Sequence, residues 1–347
     1  MFSPPAQVGG LFFCLQTLLL LPLQLKGSGH FSPTLNLSKG FMTWQTVVKI
    51  PDQLGESPFW HPAEGRLYWM DIPGRQLHRL HVASGVLQNW AMPSEPGCMA
   101  PAESGGLVLA LRSGVYRARE WGGTLALIVP APYDTATMRF NDGKADPKGR
   151  FWSGTIDETR TATNAQLWSL DGRAETPQLV SQVGGATTGN GLAWSPDART
   201  LYWTDTPSHS IRAWDWNAGN NTLTRPRVFA SWPGKPAGWQ AGMENNGGYG
   251  GRPDGAAVDV EGNYWVAMFE GGRILQLSPA GETLADWPLS AQCPTMPCFG
   301  GDDLQTLYVT TASKNRPAAE LKAFPDSGCV FAMRVKVPGL PVNFYRD

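Results

Sequence analysis

Short runs in which apolar and polar side chains take turns recur along the chain, and turn-forming residues separate them. Leu67–Met70 and Arg273–Leu277 are two examples. Successive side chains of a strand point to opposite faces, so such runs are typical of strands packed between neighbouring sheets. The pattern predicts a chain built mainly of short β-strands.

These strands belong to an internal repeat. The clearest copies are Leu54–Arg79 and Gly191–Arg212; each contains an apolar strand, a turn with proline, a Leu-Tyr-Trp strand, an aspartate, and a strand ending near arginine. Four further copies, the last two of them weaker, begin at Asp254, Asn141, Cys98 and Cys298. Each unit spans roughly 40–60 residues, the length of a propeller blade.

Six units of several short strands predict an all-β fold, a six-bladed β-propeller with a central metal site. Such a ring closes on itself and leaves few exposed strand edges. A two-sheet sandwich is the structural alternative, but it does not account for a sixfold repeat.

The metal is predicted because four copies carry an oxygen-bearing side chain at one point of the repeat. These residues are Glu56, Asn141, Asn190 and Asp254, each 11 or 13 positions before a tryptophan, namely Trp69, Trp152, Trp203 and Trp265. Hard oxygen donors without histidine or cysteine suit Ca²⁺, Mg²⁺ or Mn²⁺. The structural alternative is that asparagine and aspartate beside glycine only form turns. Four coincident positions favour the metal.

The two weaker copies place Cys98 and Cys298 at the same point, 11 positions before Leu109 and Val309. In a propeller this position is expected to face the central channel. A thiolate ligand is one interpretation, and small apolar filling of the channel is the favoured one.

Composition excludes several classes of function. Net charge is −1, and no cluster of lysine and arginine occurs, so nucleic acid is not an expected partner. None of the five cysteines forms a CxxC pair, and too few remain for a disulfide-held scaffold of this size. Reduced thiols in a cytoplasmic protein are expected.

The N-terminal residues 1–41 precede the repeats and are predicted to be an extension, either a misassigned start or a signal-like segment. Their apolar run, Leu11–Leu25, is shorter than a membrane-spanning helix and has no basic residue before it. Residues 42–347 are predicted to form the propeller, with no membrane partner. Export is the alternative to a cytoplasmic location if residues 1–41 act as a signal.

Templates for other enzymes are missing from the sequence: it has no G-x-S-x-G elbow, no P-loop and no G-x-G-x-x-G after a strand.

The chain from about Val47 to Val335 resembles the superfamily of regucalcin (senescence marker protein), gluconolactonase and luciferin-regenerating enzyme. The resemblance rests on five motifs that occur in this order: ESPFW, RFNDGK, NGLAWSPD, RPDGAAVD and CFGGDDLQTLYVTTAS. The resemblance implies a six-bladed propeller that hydrolyses sugar lactones with one divalent metal.

By the same resemblance, the expected metal ligands are Glu56, Asn190 and Asp254. Arg139 and Asn141 are expected to hold the substrate. Some members add a glutamate about 18 residues beyond the asparagine; that position here is Thr159, beside Glu158, so Glu158 is the substrate-binding candidate and substrate choice is expected to differ.

The function predicted is opening of a sugar lactone to the aldonic acid, with Ca²⁺ as the first choice of metal and Zn²⁺, Mn²⁺ or Mg²⁺ as alternatives. Asp254 is the candidate catalytic residue, because it can activate the attacking water. A monomer or weak homodimer is expected. The alternatives are a non-catalytic calcium- or ligand-binding propeller, and an aryl-ester or organophosphate hydrolase on the same scaffold.

Two features bear on those alternatives. Polar donors over the channel would favour a sugar lactone and aromatic side chains an aryl ester; Trp60, Trp239 and Tyr249 fit either, although Trp60 is expected in a blade core. The segment 231–252 is rich in glycine, proline and asparagine, which predicts a loop without regular structure. It is either a lid over the site or a plain surface loop.

Overall fold

The computed structural model describes residues 1–3 and 43–347. Apart from its first three residues, the predicted extension 1–41 lies outside the described part of the chain, and its role stays a prediction. The described residues form six four-stranded antiparallel sheets, as the repeat predicted.

The first half of the propeller begins with a single strand and continues with three blades of consecutive strands. The single strand is β1 (Gln45–Val48). The first blade is β2 (Gly55–His61), β3 (Arg66–Asp71), β4 (Gln76–His81) and β5 (Val86–Ala91). The second is β6 (Pro96–Pro101), β7 (Leu107–Leu111), β8 (Gly114–Ala118) and β9 (Ala126–Pro130). The third is β10 (Met138–Ala145), β11 (Phe151–Asp157), β12 (Ala165–Leu170) and β13 (Leu179–Ala186).

The second half repeats the plan with a change in the last blade. The fourth blade is β14 (Gly189–Trp194), β15 (Thr200–Asp205), β16 (Ser210–Asn217) and β17 (Thr222–Ser231). The fifth is β18 (Arg252–Val258), β19 (Tyr264–Phe269), β20 (Arg273–Leu277) and β21 (Thr283–Pro288). The sixth has β22 (Pro294–Gly300), β23 (Thr306–Thr311) and β24 (Val330–Arg334), with the short helix α1 (Ala318–Ala323) before β24.

The ring closes because β1 supplies the fourth strand of the sixth blade. It pairs antiparallel with β24, and Gln45 faces Ala332. The first strands of the blades, β2, β6, β10, β14, β18 and β22, pack side by side around the axis, and β22 returns to β2. The prediction of an all-β, six-bladed propeller is confirmed.

The aromatic residues of the repeat form the cores between blades. Trp69, Trp152, Trp203 and Trp265 are all buried on the second strand of their blade. Three of their indole N–H groups donate to buried carboxylates, from Trp69 to Asp52 (2.8 Å), from Trp152 to Asp146 (2.8 Å) and from Trp265 to Asp259 (2.9 Å). Trp60 is also core, stacked on Tyr308 with ring centroids 6.2 Å apart.

Each innermost strand contains a one-residue register shift, and this corrects the sequence register. Glu56 and Asn190 are the last paired residues before the shift, facing Met70 and Thr204. Asn141 and Asp254 lie one position later, inside the shift. A β-bulge lets consecutive side chains turn to the same side of a strand. The residues before the shift and the residues inside it can therefore both reach the axis.

The weaker copies were aligned wrongly. Cys98 faces Ala110 and Cys298 faces Tyr308, both beyond the shift rather than at the level of Glu56. The number of residues between two positions includes those in turns and bulges, which have no partner on the neighbouring strand. Equal spacing in sequence therefore does not guarantee equal positions in the sheet. Pro96 and Pro294 stand at the last paired position before the shift in these two blades.

The described cysteines, Cys98, Cys293, Cys298 and Cys329, are buried free thiols. Cys98 Sγ donates to Ser153 Oγ at 3.2 Å and packs in a blade core. Burial raises the pKa of the Cys98 and Cys298 thiols, so both stay protonated. This favours filling over metal ligation.

The axial channel has two ends. One holds a mainly apolar cavity of about 280 Å³, lined by Phe59, Lys144, Trp194 and Met296 and bordered by the C-terminal segment Leu340–Asn343. Glu56, Asn190 and Asp254 do not line it. In the described parts of the chain, no helix has the length and apolar character needed to cross a bilayer.

Candidate functional site

The predicted site residues come together near the starts of four innermost strands, at the channel end opposite the apolar cavity. Glu56 lies on β2, Asn141 on β10, Asn190 on β14 and Asp254 on β18. Each is at most 6% exposed. The polar positions of separate repeats therefore converge, although they are not in one register.

A chain of side-chain hydrogen bonds runs across this group. Arg139 Nη1 donates to Asn141 Oδ1 over 2.8 Å, and Asn141 Nδ2 donates to Asn190 Oδ1 over 2.7 Å. Asn190 Nδ2 in turn donates to Thr206 Oγ1 over 2.7 Å. The three contacts fix which end of each amide carries its oxygen, and they leave Asn190 Oδ1 one free lone pair.

Glu158 lies beside Arg139, whereas Thr159 does not reach it. Glu158 Oε1 is 3.4 Å from Arg139 Nε, and Glu158 Oε2 is 2.8 Å from Arg112 Nη1. Thr159 instead donates its hydroxyl to Asp157. The geometry thus brings Glu158, the residue beside the family position, to Arg139. Arg112, which sequence reasoning did not single out, joins Glu158 to Glu95 through a 3.0 Å ion pair.

The two carboxylates at the axis are held in an environment that disfavours their charge. Burial raises the pKa of Asp254 to about 8, and the charge of Arg252 acts against that rise. Burial raises the pKa of Glu56 as well, and repulsion from Asp254 and Asp142 adds to it. Glu56 Oε2 accepts a single long bond, 3.3 Å, from the Ser57 backbone N–H. Among the described residues, Glu56 has few of the donors that normally stabilise a buried carboxylate, whereas a hydrogen bond from Asn190 acts to lower the pKa of Asp254.

Asp142 was missed as a neighbour of this site, although it stands beside Asn141 in the RFNDGK motif; Lys144 of the same motif lines the apolar cavity. Asp142 Oδ2 accepts the Leu192 N–H over 3.0 Å, while its Oδ1 is buried without a partner among the described residues. Lys144 Nζ donates to the Ala256 carbonyl over 2.8 Å, and burial lowers its pKa. Their place on the strand that carries Arg139 and Asn141 was the available signal.

The donor set fits a hard divalent cation. Glu56 and Asp254 offer carboxylate oxygens, and Asn190 offers an amide oxygen, the ligands that Ca²⁺, Mg²⁺ and Mn²⁺ accept. A cation among them would relieve the repulsion that raises the pKa of both acids. Across residues 1–3 and 43–347, no three histidine, cysteine, aspartate or glutamate side chains are placed to hold a metal by themselves.

The segment 231–252 connects the last strand of the fourth blade to the first strand of the fifth. Between the two strands its only helical stretch is a short 3-10 one, Glu244–Gly248, and the three middle residues of that stretch have non-helical backbone angles. Asn245, Asn246 and Gly247 have positive φ, which suits asparagine and glycine. Trp239 packs edge-on against Tyr249, with ring centroids 5.2 Å apart.

Fold and site together define a six-bladed propeller with an oxygen-rich site on its axis. The SMP-30/Gluconolactonase/LRE-like region matches residues 54–313, most of the described chain. The protein belongs to this family, as the sequence motifs indicated.

The matches to individual relatives extend over nearly the whole length of each relative. A 6-deoxy-6-sulfogluconolactonase from Pseudomonas putida is 42% identical over 299 residues, which cover 86% of this chain and 96% of the relative. Regucalcin from Danio rerio is 32% identical, covering 86% of this chain and 95% of the relative. The crystal structure of a calcium-binding protein, regucalcin from Agrobacterium tumefaciens, superposes with a TM-score of 0.79 at 25% identity, covering 89% of this chain and 98% of that one.

Proposed function

We propose that this protein is a divalent-metal-dependent sugar lactonase that opens an aldonolactone to the aldonic acid. Family membership and the 42% identity to a sugar-acid lactonase support the enzyme class. The observation that carries the proposal is the hydrogen-bond chain from Arg139 through Asn141 to Asn190. This chain places the positively charged Arg139 side chain, which could bind a substrate, next to the oxygen atoms that could bind a metal.

In this proposal Glu56, Asn190 and Asp254 hold one divalent cation. Ca²⁺ is the first choice, since the donors are all oxygen and a structurally similar regucalcin is described as calcium-binding. The cation would supply Lewis-acid polarisation of the lactone carbonyl.

The remaining chemistry falls to the chain's own side chains. An oxygen of Asp254 would accept a proton from the attacking water, so that Asp254 acts as the general base. Arg139, Asn141 and Glu158 would hold the sugar hydroxyls and orient the ring, so that the carbonyl carbon faces that water.

A non-catalytic calcium-binding propeller is the second candidate. It gives no reason for a fully buried arginine two residues from Asn141, because a positive charge opposes cation binding. Burial even lowers the pKa of Arg139, a cost that substrate contacts would offset. An aryl-ester hydrolase is less well supported, because Trp60 is core and Trp239 packs on Tyr249.

The substrate is proposed to be a gluconolactone or a close derivative. The Pseudomonas putida relative is named for a gluconolactone with a sulfonate at carbon 6. A cytoplasmic location and a monomeric or weakly dimeric state are also proposed; the buried free thiols are consistent with a reducing compartment.

Proton release during hydrolysis of aldonolactones tests the proposal. The protein is stripped with a chelator and then supplied with Ca²⁺, Mg²⁺, Mn²⁺ or Zn²⁺ in turn. We expect activity only after metal is restored. Tight metal binding without turnover of any lactone would instead establish the binding propeller.

A further inference from the structure

A second group of charged residues lies at the same end of the channel, beside Asp254. Arg252 is the first residue of β18, two positions before Asp254, and Glu270 follows its partner strand β19. Of all the charged groups that act on the pKa of Asp254, Arg252 acts most strongly. Arg252 and the proposed catalytic carboxylate thus lie on the same innermost strand, and the charge of Arg252 acts to lower the pKa of Asp254.

The group contains more positive than negative charge. Glu270 Oε2 is 2.7 Å from Lys235 Nζ and 3.3 Å from Arg252 Nη2, and Glu270 Oε1 is 3.2 Å from Arg316 Nη1. Arg316 is already matched by Glu320 through two contacts of 2.6 and 2.7 Å. Lys235 and Arg252 consequently share the single charge of Glu270.

Arg252 also retains unused hydrogen-bonding capacity. Its Nε is buried with no acceptor among the described residues. Its guanidinium lies over Phe269, 5.3 Å from the ring centroid. Arg139 differs, because its Nη1 already donates to Phe140 O and Asn141 Oδ1. Arg252 therefore has fewer of its donors engaged than Arg139.

Lys235 is held in place by the segment 231–252. Its Nζ lies 4.3 Å from the ring centroid of Trp239 and 5.6 Å from that of Tyr249. The Tyr249 hydroxyl is 2.7 Å from His209 Nε2. Cation–π contacts of this kind fix a lysine without neutralising it. The segment thus brings a second cation to Arg252.

We infer that Arg252 and Lys235 form a subsite for an anionic substituent, a sulfonate or a phosphate, on the far carbon of the lactone. The inference rests on the proposed lactonase function and adds the substrate class. The Arg252 fork can donate two parallel bonds to a tetrahedral oxyanion, and Lys235 adds a point charge. Glu270 keeps the two cations close together before the substrate arrives.

The test compares kcat/KM of the metal-loaded enzyme for three substrates: D-glucono-1,5-lactone, its 6-deoxy-6-sulfo derivative and its 6-phospho derivative. We expect the wild type to prefer at least one of the anionic lactones. The preferred one identifies the oxyanion. In Arg252→Gln the ratio of anionic to neutral kcat/KM should fall about 10- to 100-fold, mainly through KM.

Matched variants separate recognition from general charge and folding. Arg227→Gln removes one positive charge from an exposed ion pair with Asp215 and should keep the wild-type ratio. Arg252→Lys should fall between wild type and Arg252→Gln, because it keeps the charge and loses the fork. Lys235→Gln, in the partly exposed segment, should also lower the ratio of anionic to neutral kcat/KM. It replaces Arg252→Gln as the test if that variant fails to fold.

Calorimetry of the sulfonated and phosphorylated aldonates gives a readout independent of turnover. In Arg252→Gln, binding of these aldonates should weaken by a factor similar to the fall in the kcat/KM ratio. An unchanged ratio in both Arg252→Gln and Lys235→Gln, with neutral lactone still hydrolysed, would overturn the subsite alone. No lactone turnover by the wild type with any metal would overturn the proposed function and the subsite together.

Discussion

The side-chain amide of Asn141 donates a hydrogen bond to Oδ1 of Asn190 over 2.7 Å, joining the innermost strands of the third and fourth blades. Asn190 is itself oriented by Thr206, whose hydroxyl oxygen accepts a hydrogen bond from Asn190 Nδ2 over 2.7 Å. The Asn190 amide is thus held at both its oxygen and its nitrogen by groups outside the proposed ligand set.

Replacing Thr206 by valine should weaken metal binding. The change keeps the shape of the side chain and removes the acceptor that holds the Asn190 amide. Loss of such an outer contact raises the dissociation constant by about 10- to 100-fold. Calorimetric titration of stripped protein with Ca²⁺ measures it. Thr206→Ser, which keeps the hydroxyl, should restore affinity, and equal affinity in wild type and Thr206→Val would refute the orienting role.

Removing the metal should lower stability. Burial raises the pKa of Glu56 and Asp254, repulsion from neighbouring carboxylates adds to it, and a bound cation would relieve that repulsion. A ligand that binds only the folded state at a hundred times its dissociation constant adds about 2.7 kcal/mol to the free energy of unfolding. Thermal unfolding of stripped protein with and without Ca²⁺ measures the shift.

The control for that experiment is a glutamate away from the axis. Glu56→Gln should reduce the Ca²⁺-dependent shift strongly, whereas Glu282→Gln, at an exposed turn of the fifth blade, should keep it. The same shift in Glu56→Gln as in wild type would remove Glu56 from the ligand set.

Asp254→Asn should slow turnover by about 10²- to 10⁴-fold, the usual contribution of a general base. The amide has nearly the same size but cannot take a proton from water. Rates are measured at saturating metal and compared with the metal affinity of the same variant, so that loss of ligation is distinguished from loss of the base. Asp286→Asn, on the outer strand of the same blade, is the control. A rate within threefold of wild type would exclude Asp254 as the base.

Much of the fold followed from the sequence, because a unit of short apolar strands and turns recurs six times and a ring is the arrangement that pairs all six units. The convergence of Glu56, Asn141, Asn190 and Asp254 followed from the same repeat. What the sequence did not provide was the one-residue shift in each innermost strand, and this is why Cys98 and Cys298 were aligned with the polar positions.

The charged neighbours were hidden for a different reason. Lys235, Arg252 and Glu270 meet only through tertiary structure, since they come from a long loop, the start of one strand and the end of the next. Arg112 lies in another blade from Glu158, and nothing in its local sequence marks it. A repeat indicates which positions face the axis, but not which side chains fold over it.

Arg112→Gln should act on the substrate through Glu158. Arg112 Nη1 is 2.8 Å from Glu158 Oε2, and without it Glu158 would be less firmly held against Arg139. We expect KM to rise about 5- to 20-fold with a smaller change in kcat, the size of a lost hydrogen bond to a charged group. Arg112→Lys should recover part of the effect. A change in melting temperature alone, with kinetics like wild type, would mean that Arg112 only stabilises the blade.

Two shortened proteins should differ sharply in stability, although their starting points are only nine residues apart. One begins at Met42 and keeps β1; the other begins at Pro51 and lacks it. The strand β1 closes the ring on β24 and buries Val47 and Val48. Loss of two buried valines costs roughly 3–6 kcal/mol, apart from the exposed edge of β24.

Denaturant unfolding and lactone hydrolysis compare both shortened proteins with the full chain. We expect the protein starting at Met42 to match the full chain and the one starting at Pro51 to unfold far more easily. Loss of activity on removal of residues 1–41 would show instead that they contribute to the working enzyme.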